Sequence, residues 1–223
     1  MPDKKTVVVA CRVLEHEIDF LQNQHGLGLE TRWLESSLHD RPQSLKEQLE
    51  QTLAEVVADR VILTYGQCGG GTLGLKVNFE ELILPRVDDC ITLLLGSSQR
   101  RQEMNRELAA YYVTEGWLTG RKTPMGDFQR ILNRYGEKRG RQVIEVMYRN
   151  YRSLCLLDTG VSDIERLKGL CLPVTEITGT QLCTACGVLT WLEQLLTGPW
   201  PQERFLVKHR GQTITEGDFL NWE

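Results

Sequence analysis

Hydrophobic positions along the chain follow two rhythms, and their succession predicts the fold. Thr6-Val-Val-Val-Ala10 is a continuous β-branched run that reads as a buried strand. After Cys11, apolar Val13, Leu14, Ile18 and Leu21 recur at helical spacing, predicting a helix over about 12–24 that Gly26 and Gly28 end. Leu29 to Leu34 alternates as a second strand. Asp40 and Pro42 then suit the first turn of a helix whose buried stripe is Leu45, Leu49, Leu53 and Val56. A third strand follows at Arg60-Val-Ile-Leu-Thr64, and a fourth begins at Leu82 and delivers Cys90.

From Asp88 helical character extends to about Ala110, interrupted at Gly96-Ser97-Ser98; residues 111–117 read as a loop or short extended segment. The polar stretch 125–150 is helical, and Gly136 and Gly140 fold it into a hairpin-like excursion. Ser153 to Gly160 is a strand ending in a turn, and Ile164, Leu167 and Leu170 form a helix stripe. Val174-Thr-Glu-Ile177 reads as a strand, Gln181 to Leu196 as a helix, and Phe205-Leu-Val207 as the last strand. Strands alternating with helices predict one α/β domain over 1–223: a mostly parallel, Rossmann-like sheet with helices on both faces and a helical excursion at 118–150. Sub-lobes, if present, would be 1–117 and 151–223.

Composition narrows the function classes. A net charge of −4 over 223 residues argues against a general basic surface for nucleic acid. No apolar run approaches the roughly 20 residues that span a bilayer, so no membrane association is expected. The first residues run into a strand without the pattern of a signal peptide, which places the protein in the cytoplasm. There, seven scattered cysteines are expected as thiols rather than as a disulfide framework.

The stretch Tyr65-Gly-Gln-Cys-Gly-Gly-Gly71 is where chemistry concentrates. Its four glycines permit a sharp turn around Cys68, directly after a buried strand. Cys11 and Cys90 also follow strands. In a parallel sheet all three thiols would meet at the carboxyl edge, where ligands collect. Thiolates favour zinc, copper(I) or iron–sulfur clusters, and three leave a coordination position open. His39 or Glu15 is the candidate fourth ligand, with Glu17 nearby in sequence. Gly66, Gly69 and Gly70 are candidates for cradling a small anion through backbone amides, and Arg86 for orienting it, although pairing of Arg86 with Asp88 or Asp89 competes. Cys183-Thr-Ala-Cys186 is a CxxC on the first turn of a predicted helix, a setting that lowers thiol pKa and suits redox chemistry or metal ligation. The residues thus leave open a metal site, an anion-binding or interaction protein with structural cysteines, and an enzyme with a thiol nucleophile.

Several segments resemble the uncharacterised family called domain of unknown function 1638. They are Ala10-Cys-Arg-Val-Leu-Glu-His-Glu17, Leu38-His-Asp-Arg-Pro42, Tyr65-Gly-Gln-Cys-Gly69, the run from Pro85 to Ser97, Gly116-Trp117, Asp158-Thr-Gly160 and Leu195 to Trp200. The resemblance runs over nearly the whole chain and departs from the family's pattern at Lys208-His-Arg-Gly211. These motifs contain Cys11, His39, Cys68 and Cys90 but not Cys155, Cys171, Cys183 or Cys186, which favours the three-thiol site over the CxxC. Members tend to occur in anaerobes alongside corrinoid-dependent methyltransferases. The resemblance therefore implies an accessory role in one-carbon or corrinoid metabolism, with a corrinoid protein or methyltransferase as partner and corrinoid as a further cofactor candidate.

Overall fold

The structure, a computed structural model, describes residues 4–220, apart from the side chains of His39 and Asp40. It divides into two compact units: residues 1–98 with 188–223, and residues 99–187. In the first, β1 (Thr6–Cys11) leads through a 3-10 turn into α1 (Glu15–His25). Gly26 ends that helix in the left-handed conformation, at φ 59°. Next come β2 (Glu30–Leu34), a 3-10 turn at Ser36–Asp40, α2 (Pro42–Glu55), β3 (Arg60–Leu63), β4 (Glu81–Pro85) and α3 (Cys90–Leu95). Proline at the first position of α2 costs no hydrogen bond, because that amide has no partner within the helix.

The second unit follows as α4 (Ser98–Leu108), which crosses the boundary between the two, then β5 (Ala110–Val113), α5 (Glu115–Thr119), α6 (Pro124–Tyr135), α7 (Glu137–Tyr148), β6 (Ser153–Asp158), α8 (Ile164–Thr178) and β7 (Gln181–Cys186). Its sheet is wholly parallel, in the order β5-β6-β7. The excursion is a helical hairpin as the sequence predicts. Gly136 makes the turn at φ 76°, and Gly140 brings α7 against α6, since a Cβ there would stand 2.8 Å from a Leu132 methyl. Phe128, Ile144 and Tyr148 from the hairpin share one core with Leu154, Leu156, Leu167, Cys171 and Val174.

The chain then re-enters the first unit with α9 (Thr190–Thr197) and β8 (Phe205–His209). The larger sheet has the order β2-β1-β3-β4-β8, parallel except for β8, which runs antiparallel to β4. Parallel strands need cover on both faces. Val9, Val61, Leu63, Leu82 and Leu84 pack with Leu45, Leu49 and Leu53 of α2 on one face, while Val8, Ala10, Ile62 and Ile83 are equally buried on the other. The order reverses between β1 and β3, so the crevice of this doubly wound arrangement opens beyond their carboxyl ends. Among the described residues no helix is long and apolar enough to cross a membrane.

Three expectations differ from the structure. Strands are shared between two sheets rather than one, because β5, β6 and β7 pair among themselves. Val174 to Ile177 is the last part of α8, where Val174 extends the buried stripe of Leu167 and Cys171. Gln181 to Cys186 is an edge strand, so Cys183 and Cys186 do not sit on a helix N-terminus and gain nothing from a helix dipole.

Candidate functional site

The crevice at the carboxyl end of β1 and β3 is built from backbone outward. Cys11 closes β1, and its amide donates to the Thr64 hydroxyl (3.3 Å) while the Thr64 amide donates to the Val9 carbonyl (3.1 Å). Tyr65 follows with its ring buried. The next loop is laced to the one after β4: the Gln67 amide donates to the Val87 carbonyl (2.8 Å) and the Cys68 amide to that of Asp88 (2.7 Å). Cys68 itself takes φ 47°, a left-handed conformation uncommon outside glycine, and Gly69 and Gly70 continue it at 65° and 92°. Gly71 is seated on α2, where a Cβ would come within 2.6 Å of a Leu45 methyl. The loop after β4 ends at Asp89, whose carboxylate caps α3 by accepting from the Thr92 amide (2.8 Å) and hydroxyl (3.0 Å). Cys90 is the first residue of that helix.

Cys11, Cys68 and Cys90 thus follow the carboxyl ends of adjoining strands β1, β3 and β4, and Tyr65 lies directly after β3. The Tyr65 hydroxyl is buried and lies in the field of Cys11, Cys68 and Cys90. Among the described residues no hydrogen bond of ordinary geometry reaches it. Burial raises the Tyr65 pKa well above its usual value, and the thiols add to the effect. Burial also drives the Cys68 thiol far up, helped by the negative charge of Asp89, by Cys11 and by Asp88. Cys11 is raised by burial, partly offset by the Val13 amide and the Tyr65 hydroxyl, while Glu35 pushes it further up. At neutral pH Cys11 and Cys68 are therefore protonated in an acidic surrounding.

The other candidates lie as follows. Glu15 pairs with Arg12 (2.7 Å), which also approaches Glu35 (3.4 Å) and the Trp33 ring. Glu17 is buried on α1. His39 is on the turn Ser36–Asp40, but its side chain lies outside the described residues. Arg86 donates from its guanidinium to the Asp218 carbonyl and from its amide to the Arg204 carbonyl (2.8 Å), so it clamps the backbone of two later segments. In the glycine loop the amides of Gln67, Cys68, Gly70 and Gly71 all donate to backbone carbonyls. Gly66 serves close approach to Val87, and Gly69 and Gly70 serve the left-handed turn. Among the described residues no three His, Cys, Asp or Glu side chains are gathered in a geometry that holds a metal ion. Sequence reasoning passes over Tyr65, Glu35 and the capping role of Asp89; the aromatic directly after a buried strand is the available signal for Tyr65.

In the second unit, Glu115 follows β5 and is buried against Arg166 and Ser162, which both donate to its carboxylate. Asp158, at the end of β6, accepts from the Gly160 amide (2.9 Å). The Asp158-Thr-Gly160 and Gly116-Trp117 motifs thus lie at the ends of neighbouring strands β6 and β5.

A family model matches residues 33–196, a span that takes in Cys68, Cys90 and the Cys183–Cys186 segment and begins after Cys11. The match is narrower at both ends than the motif resemblance. No curated protein and no solved structure matches the chain. With well over half of its length matched, the chain belongs to the family described as Protein of unknown function (DUF1638).

Proposed function

We propose that the carboxyl edge of the larger sheet binds a soft metal, as zinc or an iron–sulfur cluster, through Cys11, Cys68 and Cys90. The observation that carries this reading is that the residues bearing the three thiols follow the carboxyl ends of adjoining strands β1, β3 and β4, with the loop of Cys68 hydrogen-bonded to the loop that leads to Cys90. Their chemistry fits: sulfur donors select soft metals, and three leave a position for a further ligand or substrate. The charge fits as well, because Glu35 acts on Cys11 and Asp88 and Asp89 act on Cys68, a surrounding that favours a cation. The same features weigh against the other readings. An anion would meet carboxylates and amides already engaged with carbonyls, and a nucleophilic cysteine would need a lowered pKa rather than a raised one. Metal uptake would draw the thiols together and release their protons. His39, on the neighbouring turn, is the candidate fourth ligand, whereas Glu15 is already engaged by Arg12. A role beside a corrinoid protein or methyltransferase is supported by the family resemblance alone.

Full-length protein purified without oxygen tests the proposal by elemental analysis and absorption spectroscopy. One zinc per chain, or iron with a broad thiolate band near roughly 400 nm, is expected, and Cys68→Ser should lose it. Wild-type protein that stays metal-free after reconstitution, or a Cys68→Ser variant with full metal content, would overturn it.

A further inference from the structure

The CxxC of the second unit is not a pair. Cys183 and Cys186 are three residues apart on strand β7, and side chains on a strand alternate, so the two thiols point to opposite faces. The partner of Cys183 is on the adjacent strand. Cys155 of β6 stands directly opposite Cys183 in the parallel register, with Tyr112 of β5 opposite Cys155 on its other side. The three side chains form a row on one face of the sheet. Burial raises the pKa of the Cys155 thiol, and the neighbouring Cys183 thiol acts on it in the same direction. Arg101 of α4 lies 4.3 Å over the Tyr112 ring, and its positive charge acts on Cys155. Cys155 is fully buried, whereas Cys183 is half-buried on an edge strand.

We propose that Cys155 and Cys183 are a reversible dithiol–disulfide pair, oxidised by exchange with a small-molecule disulfide. Neighbouring strands lie about 4.8 Å apart, inside the roughly 4.4–6.8 Å range of Cα separations that a disulfide spans. Cys183 is the entry point because it is the accessible member. Its thiolate attacks one sulfur of the small disulfide, forming a mixed disulfide and releasing one small thiol. Cys155 then loses its proton and attacks the Cys183 sulfur, forming the cross-strand bond and releasing the second small thiol. Two protein thiols are oxidised by two electrons and one small disulfide is reduced to two thiols, which take up both protons. Arg101 supports the step in which Cys155 must become a thiolate, against burial and the neighbouring thiol that hold it protonated. The pair requires nothing of the three-thiol crevice.

The test treats full-length protein with glutathione disulfide, traps free thiols by alkylation and maps the peptides by mass. The expected product is a peptide pair joined through Cys155 and Cys183, formed equally in Cys186→Ser and reversed by excess glutathione. Cys155→Ala should stop at a glutathione adduct on Cys183, and Cys183→Ser should leave Cys155 unmodified. A bond between Cys183 and Cys186, or a wild-type Cys183 that remains fully alkylatable or stops as a stable adduct, would refute the pair. The wild-type map decides the question even where a variant fails to fold.

Discussion

The backbone of Gly66 passes so close to the Val87 carbonyl that a Cβ at Gly66 would overlap the Val87 oxygen. This contact fixes the loop after β3 against the loop after β4, and so sets the spacing between the segments that carry Cys68 and Cys90. Gly66→Ala should therefore destabilise the fold by about 3 kcal/mol, since neither backbone can yield cheaply. Gly69, at φ 65° and with a Pro42 ring carbon 3.3 Å from where a Cβ would stand, should cost about 1–2 kcal/mol as Ala. Urea midpoints of both variants check the order. Equal or negligible losses would mean that the two loops do not approach this closely.

Tyr65→Phe separates the stability of the crevice from its chemistry. A buried hydroxyl without an ordinary hydrogen bond lowers stability by about 1–3 kcal/mol relative to an apolar replacement of the same shape. Metal-free Tyr65→Phe is accordingly expected to be as stable as wild type or more so in thermal unfolding. A clear loss of stability would show that the hydroxyl has a strong partner in the folded protein.

Asp218 gives a pH signature at the far edge of the same unit. Its carboxylate meets Lys208 (2.6 Å) and accepts from the Thr215 amide (2.8 Å) and hydroxyl (3.0 Å). Burial acts to raise its pKa, but Lys208 and Thr215 outweigh burial and hold it below the ordinary value of 3.8. A carboxyl whose pKa falls on folding stabilises fully above its unfolded value and loses that contribution as pH falls through the folded one. Asp218→Asn keeps an acceptor oxygen for Thr215 but loses the charge facing Lys208, so it should be less stable than wild type at pH 7 by about 1 kcal/mol. The gap should shrink as pH falls below 3.8 and through the lowered folded value. A gap constant from pH 7 to pH 2 would contradict the lowered pKa.

The sequence is most legible where burial is two-sided. Runs such as Thr6 to Ala10 and Arg60 to Thr64 have no polar interruption, and the strands they predict carry Cys11 and Tyr65 to the crevice. Legibility fails where local preference and tertiary packing disagree. The β-branched residues of Val174-Thr-Glu-Ile177 suggest a strand, yet Val174 completes the stripe that buries α8. Gln181 to Cys186 has the polar character of an exposed edge, so it lacks the hydrophobic run that marks an inner strand. The contact between Cys155 and Cys183 cannot be read from either segment, because it depends on which strands are neighbours and in what register. The same holds for Arg86, whose partner is a backbone carbonyl 132 positions away.

The chain leaves and re-enters the first unit at adjoining points. The Val188 amide donates to the Leu94 carbonyl at 2.7 Å, and Gly96 is packed so tightly under the Val188 side chain that a Cβ would stand 2.5 Å from its methyl. Exit and return are thus stapled side by side on the host, and bridging them would close a loop of few residues at small entropic cost. Residues 99–187 are placed as a parenthesis is placed in a sentence: the host reads through without them. Every strand of the sheet that carries Tyr65 lies outside that parenthesis, so the crevice and the guest are written in separate stretches of chain.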